Sequence, residues 1–257
     1  WLLAGIFRWS GAGIASLRGL TGVLGVISVA ALGVVVYRLS RDVLLALLAM
    51  AVLAVDPQAV LFSRFGFSYN LLPPLILLVL AGLWNYIDKN KAAGLILAAL
   101  SIGVGSLSDL WMLLLLPALC IVVLLHHWRD VLWGLPLAGA PFALYCVVML
   151  CHTPQTFAFD FGYTFWRLSH LSLAAQISNL AFNYTLLVTQ GPWLALALLG
   201  WFLLRPAQLR WLGLLLLLLA IALLGRTVDL YNLSAYYMIP LLPLISLGVA
   251  SALRYGI

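Results

Sequence analysis

Apolar residues in this chain come in long runs, interrupted by short clusters of polar and charged positions. A helix that crosses a bilayer needs about 20 predominantly apolar residues. By that ruler there are about nine runs, near residues 14–37, 43–61, 69–87, 92–108, 110–125, 131–150, 191–204, 211–224 and 235–253. In hydrocarbon every backbone N–H and C=O must be satisfied within the spanning structure, which leaves helices or a closed barrel. Continuous runs such as "GLLLLLLAIALLG" lack the apolar-polar alternation of barrel strands. The pattern therefore predicts an all-α, polytopic transmembrane helical bundle.

The connections between runs differ on the two faces. One face has minimal turns, "YRLSRD", "DKNK", "HHWRD" and "RPAQLR". The other carries "SRFGFSYN", the segment 151–190 and "GRTVDLYNLSAYY". Within 151–190, Leu173, Ile177, Leu180, Ala181 and Tyr184 share one helical face while Ser172, Gln176, Asn179 and Asn183 share another. This predicts an interfacial amphipathic helix lying along the membrane. No short repeat or Ser/Gly linker divides the chain, so residues 1–257 read as one domain.

Composition agrees with a bilayer as solvent. The chain is 65% hydrophobic and 8% charged, with a mean hydropathy of +1.16, too little polarity to coat a water-soluble domain. The seven acidic residues are all aspartate, and the basic residues exceed them by six. That excess sits where cytoplasmic anchoring puts it. With the N-terminal tail outside, Arg38, Arg41, Lys89, Lys91, Arg129, Arg205, Arg210 and Arg254 all fall inside, in very short loops. The outer face mixes Arg8, Arg18, Arg64, Arg167 and Arg226 with Asp56, Asp109, Asp160 and Asp229. No nucleic-acid motif is visible. Cys120, Cys146 and Cys151 form no C-x-x-C pair and have no histidine at ligand spacing, which argues against a metal centre or disulfide framework. The opening "WLLAGIFRWS" has no initiator Met and no signal-peptide layout, so a preceding segment is expected in the complete protein.

Candidate chemistry gathers on the outer side. Asp56 before Pro57 reads as an N-cap followed by proline at the first helical position, which breaks the second run and starts a half-helix towards Arg64. The competing reading makes Asp56 a buried counter-ion to Arg64. Arg64 either snorkels to the interface or grips a phosphate bidentately, with Tyr69 and Asn70 beside it as hydrogen-bond donors for a polar ligand. Asp109 reads as the cap of the next helix, or as a carboxylate facing the outer cavity for a sugar hydroxyl or a cation. Arg226, Asp229, Tyr231 and Asn232 form a further polar cluster, with an Arg226–Asp229 salt bridge at i, i+3 as the plain alternative. Arg167 and His170 read mainly as headgroup contacts. His126 and His127 are adjacent and cannot share a helical face, so an interfacial turn is favoured over a metal site. "FAFDFGYTFW" reads as an interfacial aromatic belt more readily than as a sugar-stacking platform built on Tyr163 and Trp166. Two N-x-[ST] sequons start at Asn183 and Asn232.

In order and content the runs resemble the membrane module of GT-C glycosyltransferases, of the dolichyl-phosphate-mannose protein mannosyltransferase-like family. The carriers of that resemblance are "SLRGLTGVLGV", "FSRFGF", "LPALCIVVLL" and "YYMIPLLPLISLGVA". The resemblance implies an inverting transferase that moves a sugar from a polyprenyl-phosphate carrier to a protein, lipid or glycan acceptor outside the cytoplasm, in a prokaryotic cell membrane. It implies that Arg64 contacts the lipid-linked phosphate and that 151–190 lines the donor pocket, with Arg167 and His170 as headgroup candidates. Asp109 departs from the family pattern, in which a basic or aromatic residue follows the Gly-rich span. The family's general-base aspartate lies in the first outer loop. Residues 1–13 contain no acid, so this stretch alone is expected to be inactive. The residues name no cofactor and leave a divalent cation open.

Two other classes compete. A transporter or lipid-carrier flippase also buries polar groups in a bundle, but places ionisable residues near the midplane and commonly shows internal repeats. A purely structural membrane subunit would not bind a lipid phosphate through Arg64.

Overall fold

The computed structural model describes residues 2–65, 68–89, 92–169, 174, 193–227 and 236–256; side chains at 2–3, 163–169, 223–227 and 236 lie outside that description. Among the described residues there is no strand, and the all-α class read from the apolar runs holds. In chain order the helices are α1 (Leu2–Ser10), α2 (Ile14–Ser40), α3 (Val43–Val55), α4 (Pro57–Phe62), α5 (Leu72–Lys89), α6 (Ala92–Ser106), α7 (Leu116–His127), α8 (Val131–His152), α9 (Pro154–Ser169), α10 (Trp193–Leu203), α11 (Ala207–Thr227) and α12 (Leu242–Tyr255). Short 3-10 turns at Ser68–Leu71, Leu110–Leu115, Trp128–Asp130 and Tyr236–Leu241 lead into α5, α7, α8 and α12.

Each predicted run overlaps one of these helices. Four stretches, Ile14–Ser40, Ser68–Lys89, Leu110–His152 and Tyr237–Tyr255, are long and apolar enough to cross a membrane, and α3, α6, α10 and Ala207–Ala222 are shorter apolar helices. The chain therefore reads as a membrane protein. The 43-residue stretch Leu110–His152 is not one rod. His127 leaves the helical region at φ −145°, ψ 91°, and the chain reverses so that α8 packs back on α6 and α7. The second run is also broken, between α3 and α4, at Asp56 and Pro57.

Two helices form the middle of the bundle. In α5, Ile76, Leu77, Leu80 and Leu83 are fully buried, and in α12 so are Leu244 and Ala250. Around them α2, α3, α6, α10 and α11 pack in a ring, with α10 against α12 and α5 against α6 as the most extensive pairs. Small residues set these approaches. A Cβ on Gly200 would collide with the backbone carbonyl of Gly248, and one on Gly82 would come within 2.7 Å of the Gly94 carbonyl. Close backbone approach of this kind drives association where the surroundings are as apolar as the helices. The outward faces are apolar as well: Val23, Val26 and Val34 of α2 and Leu144, Val147 and Val148 of α8 are exposed. Such a surface suits lipid and not water.

Helix direction alternates along the chain and sorts the polar turns to two ends. At one end Arg254 of α12 pairs with Asp42 at 3.0 Å, joining the 41–42 turn to the C-terminal helix. Asp42 also caps α3 by accepting from the Leu45 N–H at 3.0 Å and takes the Tyr255 hydroxyl at 3.3 Å. At the same end Tyr86 and Trp133 both donate to Asp130, at 2.8 and 3.0 Å. The described residues of the short basic turns, Lys89, Arg129 and Arg205 among them, belong there. At the opposite end lie Asp56, Arg64, Tyr69 and Asp109.

Candidate functional site

The turn from Asp56 to Leu71 is built by side-chain-to-backbone bonds. Asp56 Oδ1 accepts from the N–H groups of Gln58 and Ala59, both at 2.9 Å, and Pro57 occupies the first helical position, where its missing N–H costs nothing. The capping reading of Asp56 holds. Among the described residues its carboxylate forms no ion pair with Arg64. Helix α4 then lasts six residues, and its last carbonyls need partners. Backbone N–H groups of Ser63, Arg64 and Phe65 meet the carbonyls of Ala59, Leu61 and Phe62, and Asn70 Nδ2 adds bonds to Phe62 O at 3.1 Å and, beyond the helix, to Phe65 O at 2.8 Å. Asn70 is buried, so its amide is committed to the turn.

Tyr69 is buried too, edge-on to Tyr237 with ring centroids 5.4 Å apart. Its hydroxyl and that of Ser68 face the Asp109 carboxylate and favour its charged form. Ser108 Oγ donates to Ser68 O at 3.1 Å, fastening the same two turns a second time. Asp109 caps the segment leading to α7 by accepting from the Trp111 N–H at 2.9 Å, as the capping reading anticipates. Burial raises its pKa above the usual aspartate value, against the opposing pull of Trp111, Tyr69 and Ser68. Two polar clusters 40 residues apart in sequence thus meet through Tyr69–Asp109 and Ser68–Ser108.

Arg64 stands apart from this network. It is exposed, its backbone N–H bonds to Leu61 O at 3.2 Å, and its guanidinium has no hydrogen-bond or ion-pair partner among the described residues. The preceding residue, Ser63, lines a groove of about 410 Å³ between α2, α3, α4 and the start of α12. The walls are Gly22, Gly25, Val29, Leu53, Ile239 and their neighbours, and the polar atoms come from Ser28, Ser63 and Asn70. Of the three residues grouped for phosphate binding, Arg64 is exposed, while Tyr69 and Asn70 are buried in the turn that carries it.

A second cavity, of about 260 Å³, lies behind Asp109 between the 106–110 turn, α8 and α9. Asp160 and Tyr145 line it with Asp109. Sequence reasoning counted Asp160 only as part of the outer charge and read its surroundings as an aromatic belt. One signal was available, because Asp160 is the sole acid in 151–190 and sits between Phe157 and Phe161 on one helical face.

The remaining expectations fall as follows. Helix α9 covers the aromatic run, and the amphipathic helix expected over 172–184 lies outside the described residues except Ala174. Arg167 is on α9 and Arg226 on α11, with side chains outside the description, and His170, Asp229 and Tyr231 lie outside the described residues. His126 ends α7 with Nε2 at 3.1 Å from Ile87 O, a turn contact at the basic end. No group of three potential metal ligands occurs among the described residues. No family model, curated protein or solved structure matches the chain.

Proposed function

We propose that this chain is the membrane body of an inverting glycosyltransferase that takes a sugar from a polyprenyl-phosphate donor and passes it to an acceptor hydroxyl on the extracytoplasmic face. The observation that carries the reading is the pairing of an apolar groove with an exposed guanidinium, unpartnered among the described residues, one residue beyond its Ser63 wall. An isoprenoid chain is apolar and enters the groove from the lipid. Its phosphate is anionic, and a guanidinium offers it two parallel N–H donors in a low-dielectric setting.

In the transfer the acceptor oxygen attacks the anomeric carbon, the bond from that carbon to the phosphate oxygen breaks, and the acceptor proton passes to a base. Charge grows on the departing polyprenyl phosphate. Arg64 stabilises that charge, and donors fixed before the reaction do so without reorganisation. The rigidity comes from Asp56 and Asn70, which pin both sides of the Arg64 turn. The base is not assigned to a residue of this chain.

Equilibrium binding of a radiolabelled polyprenyl-phosphate sugar to protein in nanodiscs tests the reading. Arg64→Ala removes a charged hydrogen-bond pair and is expected to weaken binding about 10- to 100-fold. Arg64→Lys keeps the charge without the fork and falls between. Equal binding by wild type and Arg64→Ala contradicts the proposal. A flippase or transporter reading predicts carrier movement across proteoliposomes that survives Arg64→Ala.

A further inference from the structure

The cavity behind Asp109 has walls of a different kind from the groove beside Ser63. Two carboxylates, Asp109 and Asp160, face a space of about 260 Å³ that is also bounded by ring pairs from two helices. Phe157 and Phe161, one turn apart on α9, stack with centroids 5.0 Å apart and planes 27° apart. Phe142 and Tyr145 of α8 do the same at 6.2 Å and 27°. Among the described residues no lysine or arginine lines the space and two carboxylates do, which suits it poorly to phosphate.

We propose that this cavity is a carbohydrate subsite that holds one sugar ring of the acceptor. Sugars present an apolar C–H face and a rim of hydroxyl donors. Aromatic rings cover the first, and charge-assisted bonds to carboxylates take the second. The volume is below the roughly 300–1,000 Å³ of pockets for drug-sized ligands, which limits the occupant to about one ring. Asp109 is held for this task by the Trp111 N–H. The Ser108 hydroxyl, which donates to Ser68 O, ties the rim of the cavity to the turn that leads into α5. Carbohydrate binding follows from the walls alone, while assignment to the acceptor rests on the proposed transfer.

Saturation-transfer NMR on the full chain in nanodiscs, with methyl α-D-mannopyranoside, methyl α-D-glucopyranoside and N-acetylglucosamine as probes and choline as a cation control, tests it. At least one sugar is expected to receive saturation on its ring protons, with a loss of at least about threefold in Asp160→Asn and in Phe157→Ala. Asp160 is exposed and Phe157 half-buried, and each variant is checked for wild-type elution on size exclusion. Arg64→Ala should leave the sugar signal unchanged. No transfer to any sugar, an undiminished signal in both variants, or transfer to choline in preference to sugars would overturn the subsite. Displacement of the sugar by a polyprenyl-phosphate sugar overturns its assignment to the acceptor. Failure of the donor to bind, with sugar binding intact, rejects the proposed transfer and leaves the subsite standing.

Discussion

Asn70 uses both hydrogens of its amide on the carbonyls of Phe62 and Phe65, and no other residue type with that reach supplies two donors and no charge. Removing them leaves the carbonyl that ends α4 and that of Phe65 in the following turn without those partners. Asn70→Ala is expected to cost about 1–3 kcal/mol, read as a lower melting temperature in detergent, and Asn70→Asp should cost at least as much because it presents oxygens to oxygens. A melting temperature unchanged in both variants would show that the turn is held by something else. Single residues were legible from sequence when their partners were near in the chain. Asp56 and Asp109 were readable as caps because the N–H groups they accept from lie two or three residues on. Tyr69 was not readable, because its partners, Asp109 and Tyr237, are brought to it by the packing of other helices. A side chain that looks available for a ligand in sequence is already packed in the fold.

Helices pack here by backbone proximity. Gly200 of α10 and Gly248 of α12 touch so closely that neither tolerates a Cβ without movement, and Trp201 next to them donates through Nε1 to Leu244 O at 2.9 Å, fully buried. Gly200→Leu should force the two helices apart, with a loss of about 2 kcal/mol or more from overpacking and from the strained indole bond. Thermal unfolding in detergent measures the loss, and wild-type stability in this variant would refute the packing described. Hydropathy found these helices, since a run of apolar residues has one meaning in a bilayer. It could not find the cavity between the 106–110 turn, α8 and α9, whose walls depend on how α9 folds back on α8. The aromatic run therefore looked like a membrane belt, although part of it lines a half-open cavity with Asp160.

Across the whole molecule, the sorting of polar turns to two ends sets the direction of any chemistry. Arg254 and Asp42 pair at the end that carries the short basic turns, and we propose, on the positive-inside rule, that this end faces the cytoplasm. Cys151 is exposed at the end of α8, on the same side as Arg64. A membrane-impermeant maleimide should label it in intact spheroplasts, and the label should vanish in Cys151→Ser. Labelling that requires permeabilisation would invert the orientation and with it the face of transfer. The most direct measurement is photocrosslinking with a short-chain polyprenyl phosphate that carries a benzophenone in its isoprenoid, in nanodiscs, followed by peptide mapping. Adducts are expected on groove residues of α2 and on Ile239 or Leu242, in yields that drop in Arg64→Ala. Adducts confined to the outward faces of α2 and α8, or yields indifferent to Arg64, would contradict the assignment of the groove and its arginine to a lipid-linked phosphate.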